Sequence, residues 1–199
     1  MLEVTQLSFA YNGGSPLFRN LNITLHPGEV TGLIAPSGSG KTTLAKVLSG
    51  HLPVQEGEIR LNHLPVPGKS FYPVQLINQH PEQGFNPRWT LGRSLVESFK
   101  PASSLLAQLG IKKSWLNRYP HELSGGELQR FAIARALHPK TAFLIADEIT
   151  AMLDAISQAQ VWQVLLHINK ERGLGMLVIS HNPQLLARIC TRKVSMSEL

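Results

Sequence analysis

The feature that most constrains the fold is an apolar strand, Val30–Ile34, that runs into a glycine- and serine-rich turn and then into a helix predicted over 44–52. Strands and helices alternate along much of the remaining chain, which predicts an α/β fold with a parallel sheet covered on both faces. In such sheets ligands bind beyond the carboxyl ends of the strands. The other predicted strands are Leu2–Phe9, 21–25, 58–61, Val74–Ile77, 142–146 and 176–179, and the other helices are 128–137, 156–168 and Pro183–Ile189.

The turn after Val30–Ile34 has the composition of a phosphate-binding loop. Small residues let consecutive N–H groups converge on phosphates, and the start of the following helix adds a favourable dipole. Lys41 is expected to contact the β- and γ-phosphates and the Thr42 hydroxyl to bind Mg²⁺. The full pattern has glycine at position 35, so Ala35 implies either that no left-handed backbone is needed there or that the loop is altered. The predicted nucleotide-binding residues are Ala35, Pro36, Ser37, Gly38, Ser39, Gly40, Lys41, Thr42 and Thr43.

A second motif lies at the end of the apolar strand 142–146, where Asp147 and Glu148 follow directly. Asp147 is placed to hold the hydration shell of Mg²⁺. Glu148 is placed to polarise an attacking water as general base. Each motif has a simpler interpretation in isolation, a loop in the first case and a solvated acidic turn in the second, but together in one sheet they indicate nucleotide hydrolysis.

Composition limits the class of protein. The 199 residues suffice for one α/β domain, and no apolar run reaches the roughly 20 residues of a spanning helix. The N-terminal segment lacks the features of a secretion signal, and the lone Cys190 fits a reducing compartment. The net charge of +6 is compatible with nucleic acid or an anionic membrane surface, but the basic residues are scattered, which favours a nucleotide-binding protein beside a membrane.

The segment Leu123-Ser124-Gly125-Gly126-Glu127-Leu128-Gln129-Arg130 resembles the signature loop of ABC ATPases, with Glu127 where the family usually has glutamine. With the Asp-Glu strand and the pair Ser180-His181, the resemblance covers nearly the whole chain in the family's order. It implies a P-loop NTPase (RecA-like) core with a mainly parallel sheet, a small antiparallel β-subdomain and an inserted short helical subdomain. The whole chain, 1–199, is then one ABC ATPase domain: 1–80 and 121–199 form the core and 81–120 the helical subdomain.

The resemblance also implies roles for single residues. Ser124, Gly125, Gly126 and Glu127 would bind the γ-phosphate of ATP held by a second subunit. Tyr11 would stack on adenine, and Gln79 would sense Mg²⁺, which with Thr42 and Asp147 completes the implied metal-binding set. His181 would contact the γ-phosphate beside the catalytic Glu148, and Asp154 would lie at the subunit interface. ATP and Mg²⁺ are the implied cofactors.

The loop between Glu148 and Asp154 departs from the family pattern, because Ile149-Thr150-Ala151-Met152-Leu153 lacks the usual proline and serine. The hypothesis that follows is a partner of different sequence and two unequal nucleotide sites.

The segments Gln79-His80-Pro81, Asn86-Pro87-Arg88-Trp89-Thr90 and Arg118-Tyr119-Pro120-His121-Glu122 resemble the dipeptide, oligopeptide and nickel importer branch of the family. That branch implies a second ABC ATPase subunit, identical or different, integral membrane permease subunits and, indirectly, a solute-binding protein. It also implies no nucleic acid and a position on the cytoplasmic face of the cell membrane. A nickel or metal–chelate cargo is preferred over peptide. The alternatives are an ABC-type ATPase of a DNA or ribosome system, a regulatory ATP-binding module and a small-molecule kinase.

Overall fold

The computed structural model describes residues 1–11, 14–36, 38–67 and 71–199. The strands are β1 (Leu2–Phe9), β2 (Phe18–Leu25), β3 (Val30–Ile34), β4 (Glu56–Leu61), β5 (Leu64–Pro65), β6 (Val74–Ile77), β7 (Phe143–Asp147), β8 (Gly175–Ile179) and β9 (Arg192–Ser195). The helices are α1 (Lys41–Leu48), α2 (Leu91–Leu95), α3 (Ser103–Gln108), α4 (Gly125–Ala136), α5 (Ala155–Arg172) and α6 (Pro183–Ile189). No helix of the described residues is long and apolar enough to cross a membrane.

One sheet has the strand order β6-β7-β8-β3-β9, and its measured pairs β7–β8, β8–β3 and β3–β9 are parallel. Every residue of β7 and of β8 is buried. This burial on both faces explains why these segments read as continuous apolar runs rather than alternating ones. The predicted parallel sheet is therefore confirmed.

Two element assignments differ from expectation. The strand β9 was not predicted, because Arg192–Ser195 is mostly polar; it lies at the edge of the sheet and pairs with β3 alone. The first helix begins at Lys41, three residues earlier than predicted, and ends at Leu48, four residues earlier than predicted. It stops there because Gly50, with φ +73°, turns the chain into the left-handed region.

A second sheet is antiparallel, with the order β2-β1-β4-β5. Register shifts interrupt both β1 pairings, and they coincide with the left-handed backbone of Gln6 (φ +50°) and of Gly57 (φ +85°). Buried residues of this sheet share one core with α1 and the parallel sheet, including Leu2, Leu44 and Ile145. The small antiparallel subdomain expected from the resemblance is present.

The chain divides into two compact units. The first comprises Met1–Leu76, Lys140–Asp147 and Asn169–Leu199, and the second comprises Ile77–Pro139 and Glu148–Ile168. The second unit is mainly helical and contains all of the segment 81–120. Its core includes Leu91, Leu109, Trp115 and Phe131, with the rings of the last two 6.4 Å apart between centroids. The assignment of functional subdomains to 1–80, 81–120 and 121–199 stays a prediction.

Close packing at the start of β8 leads to the first prediction. A Cβ added to Gly175 would overlap the Phe143 ring and lie 2.9 Å from the His26 carbonyl oxygen. Gly175→Ala is therefore expected to lower the free energy of unfolding by about 1–3 kcal/mol, measured by denaturant titration. Gly84→Ala is the control, because nothing lies within 4 Å of its added Cβ. Equal stability of both variants would contradict this account of the packing.

Candidate functional site

The carboxyl ends of three neighbouring strands lie in register. Asp147 of β7 pairs with Ile179 of β8, and Ile179 is in turn level with Leu33 of β3. Because the strands are parallel, the segments that follow them leave the sheet at one edge. The turn after β3, the carboxylate of Asp147 and the Ser180-His181 segment therefore lie at the same edge of the first unit.

The turn after β3 holds the ammonium group of Lys41. Its Nζ donates hydrogen bonds to the carbonyl oxygens of Ala35 (2.9 Å) and Pro36 (2.7 Å), and the residue is only 7% exposed. Gly38 and Gly40 have φ of +78° and +91°, so glycine is required by the backbone at both positions. The backbone of Ala35 does not lie in the left-handed region. Position 35 of the turn therefore needs no glycine.

Ser37 lies outside the described residues. Pro36 and Ser39 form the rest of the turn, where the Ser39 hydroxyl donates to the Pro36 carbonyl oxygen at 2.8 Å.

The Thr42 hydroxyl donates a hydrogen bond to Oδ2 of Asp147 at 2.8 Å. Thr42 lies in the first turn of α1, and Asp147, which is 4% exposed, ends β7. The structure thus brings together two oxygen-bearing side chains that are 105 positions apart in the sequence. Hydroxyl and carboxylate oxygens are the ligands that Mg²⁺ uses when phosphates and water supply the rest of its shell. The residues present fit that ion.

Tyr11 borders the same turn. Its hydroxyl is 3.2 Å from the Thr43 Oγ1, and its ring meets Phe9 edge-on with 5.0 Å between centroids. Almost half of the tyrosine is exposed, which leaves ring surface accessible for stacking. The adenine contact remains a prediction, but the position of Tyr11 beside α1 is compatible with it.

Glu148 has an unusual backbone. It directly follows Asp147, its φ is +51°, and its carbonyl accepts a hydrogen bond from the N–H of Ala151 at 3.1 Å. A glutamate in the left-handed region costs conformational energy, and such residues cluster at functional sites. The sequence carried no sign of this conformation.

His181 and Gln79 follow strand ends, as predicted. His181 lies two residues after β8 and is exposed, and Asn182 next to it caps α6 by accepting from the N–H groups of Gln184 and Leu185. Gln79 is exposed two residues after β6. Glu148 and Gln79 belong to the second unit, whereas Lys41, Asp147 and His181 belong to the first. The roles of all these residues stay predictions.

The segment Ser124–Glu127 forms the start of α4 through a capping box. Ser124 Oγ accepts from the N–H of Glu127 at 3.3 Å, and Oε2 of Glu127 accepts from the N–H of Ser124 at 2.9 Å and from its hydroxyl at 3.0 Å. Gly125 and Gly126 are the first two helical residues, so their N–H groups have no acceptor within the helix. This is the geometry in which helix starts bind anions.

The two glycines are covered from one side by the loop before Asp154. A Cβ added to Gly125 would lie 3.0 Å from Met152 Sδ, and one added to Gly126 would lie 2.7 Å from Leu153 Cδ2. A side chain at either position would therefore have to displace the side chain of Met152 or Leu153. A cleft of about 510 Å³ lies beside them, lined among others by Glu127, Arg130 and Asp154.

Arg130 is a residue of this cleft for which the sequence suggested no role. It is 9% exposed and donates to the Leu109 carbonyl (2.6 Å), to Ser157 Oγ (2.9 Å) and to Gln160 Oε1 (3.2 Å). The spacing offered a signal, since Arg130 shares a helix face with the buried Ile133 and Ala134, three and four residues later.

Asp154 caps the start of α5. Its Oδ1 accepts from the N–H groups of Ile156 and Ser157, both at 3.0 Å. Hydrogen bonds from Ser157, first from its N–H and then from its hydroxyl, lower the pKa of the Asp154 carboxyl.

Comparison with known proteins identifies the family. The sequence model described as "ABC transporter" matches residues 18–151, which is more than half of the 199 residues. This chain belongs to the ABC transporter family. As an ABC ATPase it binds and hydrolyses ATP, and the relatives do not favour the DNA, ribosome or regulatory alternatives.

Two groups of relatives resemble this ABC ATPase over nearly all of its length. It is 33% identical to the nickel import system ATP-binding protein NikE of Staphylococcus aureus, with 100% of this chain and 87% of the relative covered. It is 32% identical to the oligopeptide transport ATP-binding protein OppF of Haemophilus influenzae, with 98% of this chain and 69% of the relative covered.

Solved structures agree on the fold. The dimeric structure of a post-hydrolysis state of an ATP-binding cassette bound to ADP and Pi gives a TM-score of 0.84 at 24% identity, covering 98% of this chain and 94% of that one. CbiO1 of Clostridium perfringens gives 0.77 at 24% identity, covering 98% and 83%. The fold class predicted from the sequence is confirmed.

The cap on α5 predicts a pH-dependent stability difference. Because folding lowers the pKa of Asp154, the carboxylate stabilises the protein above its unfolded pKa, near 3.8, and this contribution is lost as the pH falls through the lower folded value. Asp154→Ala should lower Tm by about 2–4 °C at pH 7, and the deficit should shrink below pH 4. Asp154→Asn, which keeps an oxygen acceptor but loses the charge, should have a Tm between those of Asp154→Ala and the wild type at pH 7. A deficit independent of pH would contradict a role for the charged carboxylate.

Proposed function

We propose that this ABC ATPase energises an importer whose cargo is nickel or a metal chelate, with peptide as the other cargo class. The support comes from relatives named for nickel and oligopeptide import, of which the nickel relative is covered to 87% of its length and the oligopeptide relative to 69%. In this proposal the chain lies on the cytoplasmic face of the cell membrane and pairs with a second ABC ATPase subunit. Permease subunits carry the cargo, a solute-binding protein acts indirectly, and nucleic acid has no part.

The observation that carries the proposed mechanism is the hydrogen bond between Thr42 and Asp147 beside a sequestered Lys41. The ammonium of Lys41 satisfies two main-chain carbonyls, so it is held close to the turn that would receive the phosphates. ATP offers stronger, charged acceptors, and transfer of the Lys41 hydrogen bonds to the β- and γ-phosphates is favourable. The N–H groups of the turn and the start of α1 add further donors.

Thr42 and Asp147, with Gln79 from the resemblance, are the residues that would hold Mg²⁺. The bound ion would neutralise charge on the β- and γ-phosphates during transfer. Within the described residues no group of three or more His, Cys, Asp or Glu side chains could hold a metal. A site built from one carboxylate and a hydroxyl, completed by phosphate and water, is the kind that Mg²⁺ accepts.

Glu148 is the proposed general base, and His181 the residue that orients the γ-phosphate and the attacking water. The left-handed backbone of Glu148 fixes the direction in which the chain leaves β7 after Asp147. We infer that this strained conformation serves the function, because an unstrained turn would have a lower conformational energy. The helix start Ser124–Glu127 would bind the γ-phosphate of ATP held by the second subunit, and Asp154 would lie at that interface.

The test of catalysis is Glu148→Gln in the assembled transporter. A glutamine cannot take up the proton of the attacking water, so we expect ATP turnover to fall by about 10²- to 10⁴-fold. Binding of a fluorescent ATP analogue should be retained, because the residues of the phosphate turn are unchanged. Turnover is measured as released phosphate at saturating ATP.

Glu82→Gln is the matched control for charge removal. Glu82 is exposed and belongs to the same unit, and its Oε1 lies 3.4 Å from Nδ1 of His80 at the surface. Its turnover should equal that of the wild type. Undiminished hydrolysis by Glu148→Gln would remove Glu148 from the role of base.

The cargo is tested by uptake into cells from which this chain has been deleted. Uptake of radiolabelled nickel, free or chelated, should be lost, restored by the wild-type chain and not restored by Glu148→Gln. Loss of labelled tripeptide uptake instead would assign the cargo to the peptide class. Unchanged uptake of both would contradict the importer assignment.

A further inference from the structure

We propose that Gln55 is a positioning residue for ATP, because its side chain holds the main chain directly before Tyr11 and so orients the Tyr11 ring for the adenine. Gln55 lies between α1 and β4, outside the sequence motifs that indicated nucleotide binding. The inference rests on the proposed function and deepens it, since it presupposes the predicted contact between Tyr11 and the base.

The side-chain amide of Gln55 binds both main-chain groups of Ala10. Its Oε1 accepts from the N–H of Ala10 at 2.9 Å, and its Nε2 donates to the Ala10 carbonyl oxygen, also at 2.9 Å. A side-chain amide has the same kinds of donor and acceptor as a peptide group. The last register pair of β1 with β4 is Ser8 with Glu56. The side chain of Gln55 therefore continues the pairing beyond the point where the two main chains stop.

These two hydrogen bonds fix the direction of the chain at Tyr11. The N–H of Ala10 lies in the peptide plane before its Cα, and its carbonyl lies in the plane after it, which also contains the Cα of Tyr11. Holding both groups therefore restricts both φ and ψ of Ala10. Ala10 lies outside β1, which ends at Phe9, so the Gln55 side chain takes over here from strand pairing.

The described contacts of the Tyr11 ring leave it room to turn. Almost half of the residue is exposed, its hydroxyl lies 3.2 Å from Oγ1 of Thr43, and the ring meets Phe9 edge-on. A ring on an anchored main chain loses less conformational freedom when a base stacks on it than a ring on a loose one. Gln55 is therefore expected to strengthen the binding of the base without touching it.

The experiment is Gln55→Ala in the assembled transporter, with ATP turnover measured against ATP concentration. Gln55 is exposed, so the variant is expected to fold. We expect the half-saturating ATP concentration to rise by about fivefold, the effect of restricting the backbone of one residue. Turnover at saturating ATP should equal that of the wild type, because the contact with the base does not change during phosphoryl transfer.

Inorganic tripolyphosphate separates base binding from a general loosening of the first unit. It carries phosphates that Lys41 would bind, but it has no base. Its inhibition constant against ATP turnover should be the same for Gln55→Ala and the wild type. An inhibition constant that rises as much as the half-saturating ATP concentration would overturn the inference, because the variant would then disturb the phosphate turn.

Tyr11→Ala tests whether Gln55 acts through the tyrosine. The single variant should raise the half-saturating ATP concentration, and Gln55→Ala should have no further effect in that background. An equal effect of Gln55→Ala with and without Tyr11, or no effect in either background, would overturn the inference alone. Unchanged half-saturation in Tyr11→Ala would instead refute the adenine contact that belongs to the proposed function.

Asn22→Ala is the matched control. The Asn22 amide also joins two main-chain groups of the same antiparallel sheet: its Oδ1 accepts from the N–H of Gln6 at 2.9 Å, and its Nδ2 donates to the Asn20 carbonyl oxygen at 2.6 Å. Asn22 is exposed, as Gln55 is, and neither bond involves the chain before Tyr11. Its half-saturating ATP concentration should equal that of the wild type. A rise as large as that of Gln55→Ala would contradict a specific role for Gln55.

Discussion

The hydrogen bond from Thr42 to Asp147 is the contact on which the candidate nucleotide site depends. A carboxylate that is 4% exposed at the end of a fully buried strand is costly unless polar partners replace the water it has lost. Thr42 supplies one such partner from the first turn of α1. The bond can form only because β3 and β7 run parallel on either side of β8, so that the turn after β3 and the end of β7 lie at one edge. The topology of the sheet thereby determines the chemistry at its edge.

Much of this arrangement could be predicted from the sequence, because its signals are local. An apolar run that ends in two acids indicates a buried strand whose carboxyl end is polar, and β7 has that form. Glycines at 38 and 40 indicate left-handed backbone, and both positions have it. The presence of Ala35 raised a question that only backbone geometry could answer, since sequence does not reveal which position of a loop needs a positive φ.

The features that escaped prediction depend on tertiary contacts. The strand β9 is polar and gains its place from pairing with β3, not from its own propensity. The positive φ of Glu148 has no signature in a residue that seldom adopts it. The burial of Arg130 follows from acceptors on α5 and after α3 that are distant in the sequence.

The departures from the family pattern at Glu127 and at 149–153 are physically connected, because both segments meet at the two glycines of the α4 start. Met152 and Leu153 fill the space beside Gly125 and Gly126 that a smaller loop would leave open, and Met152 is still half exposed. Both departures therefore change one surface of this unit, the start of α4 and the loop packed beside it.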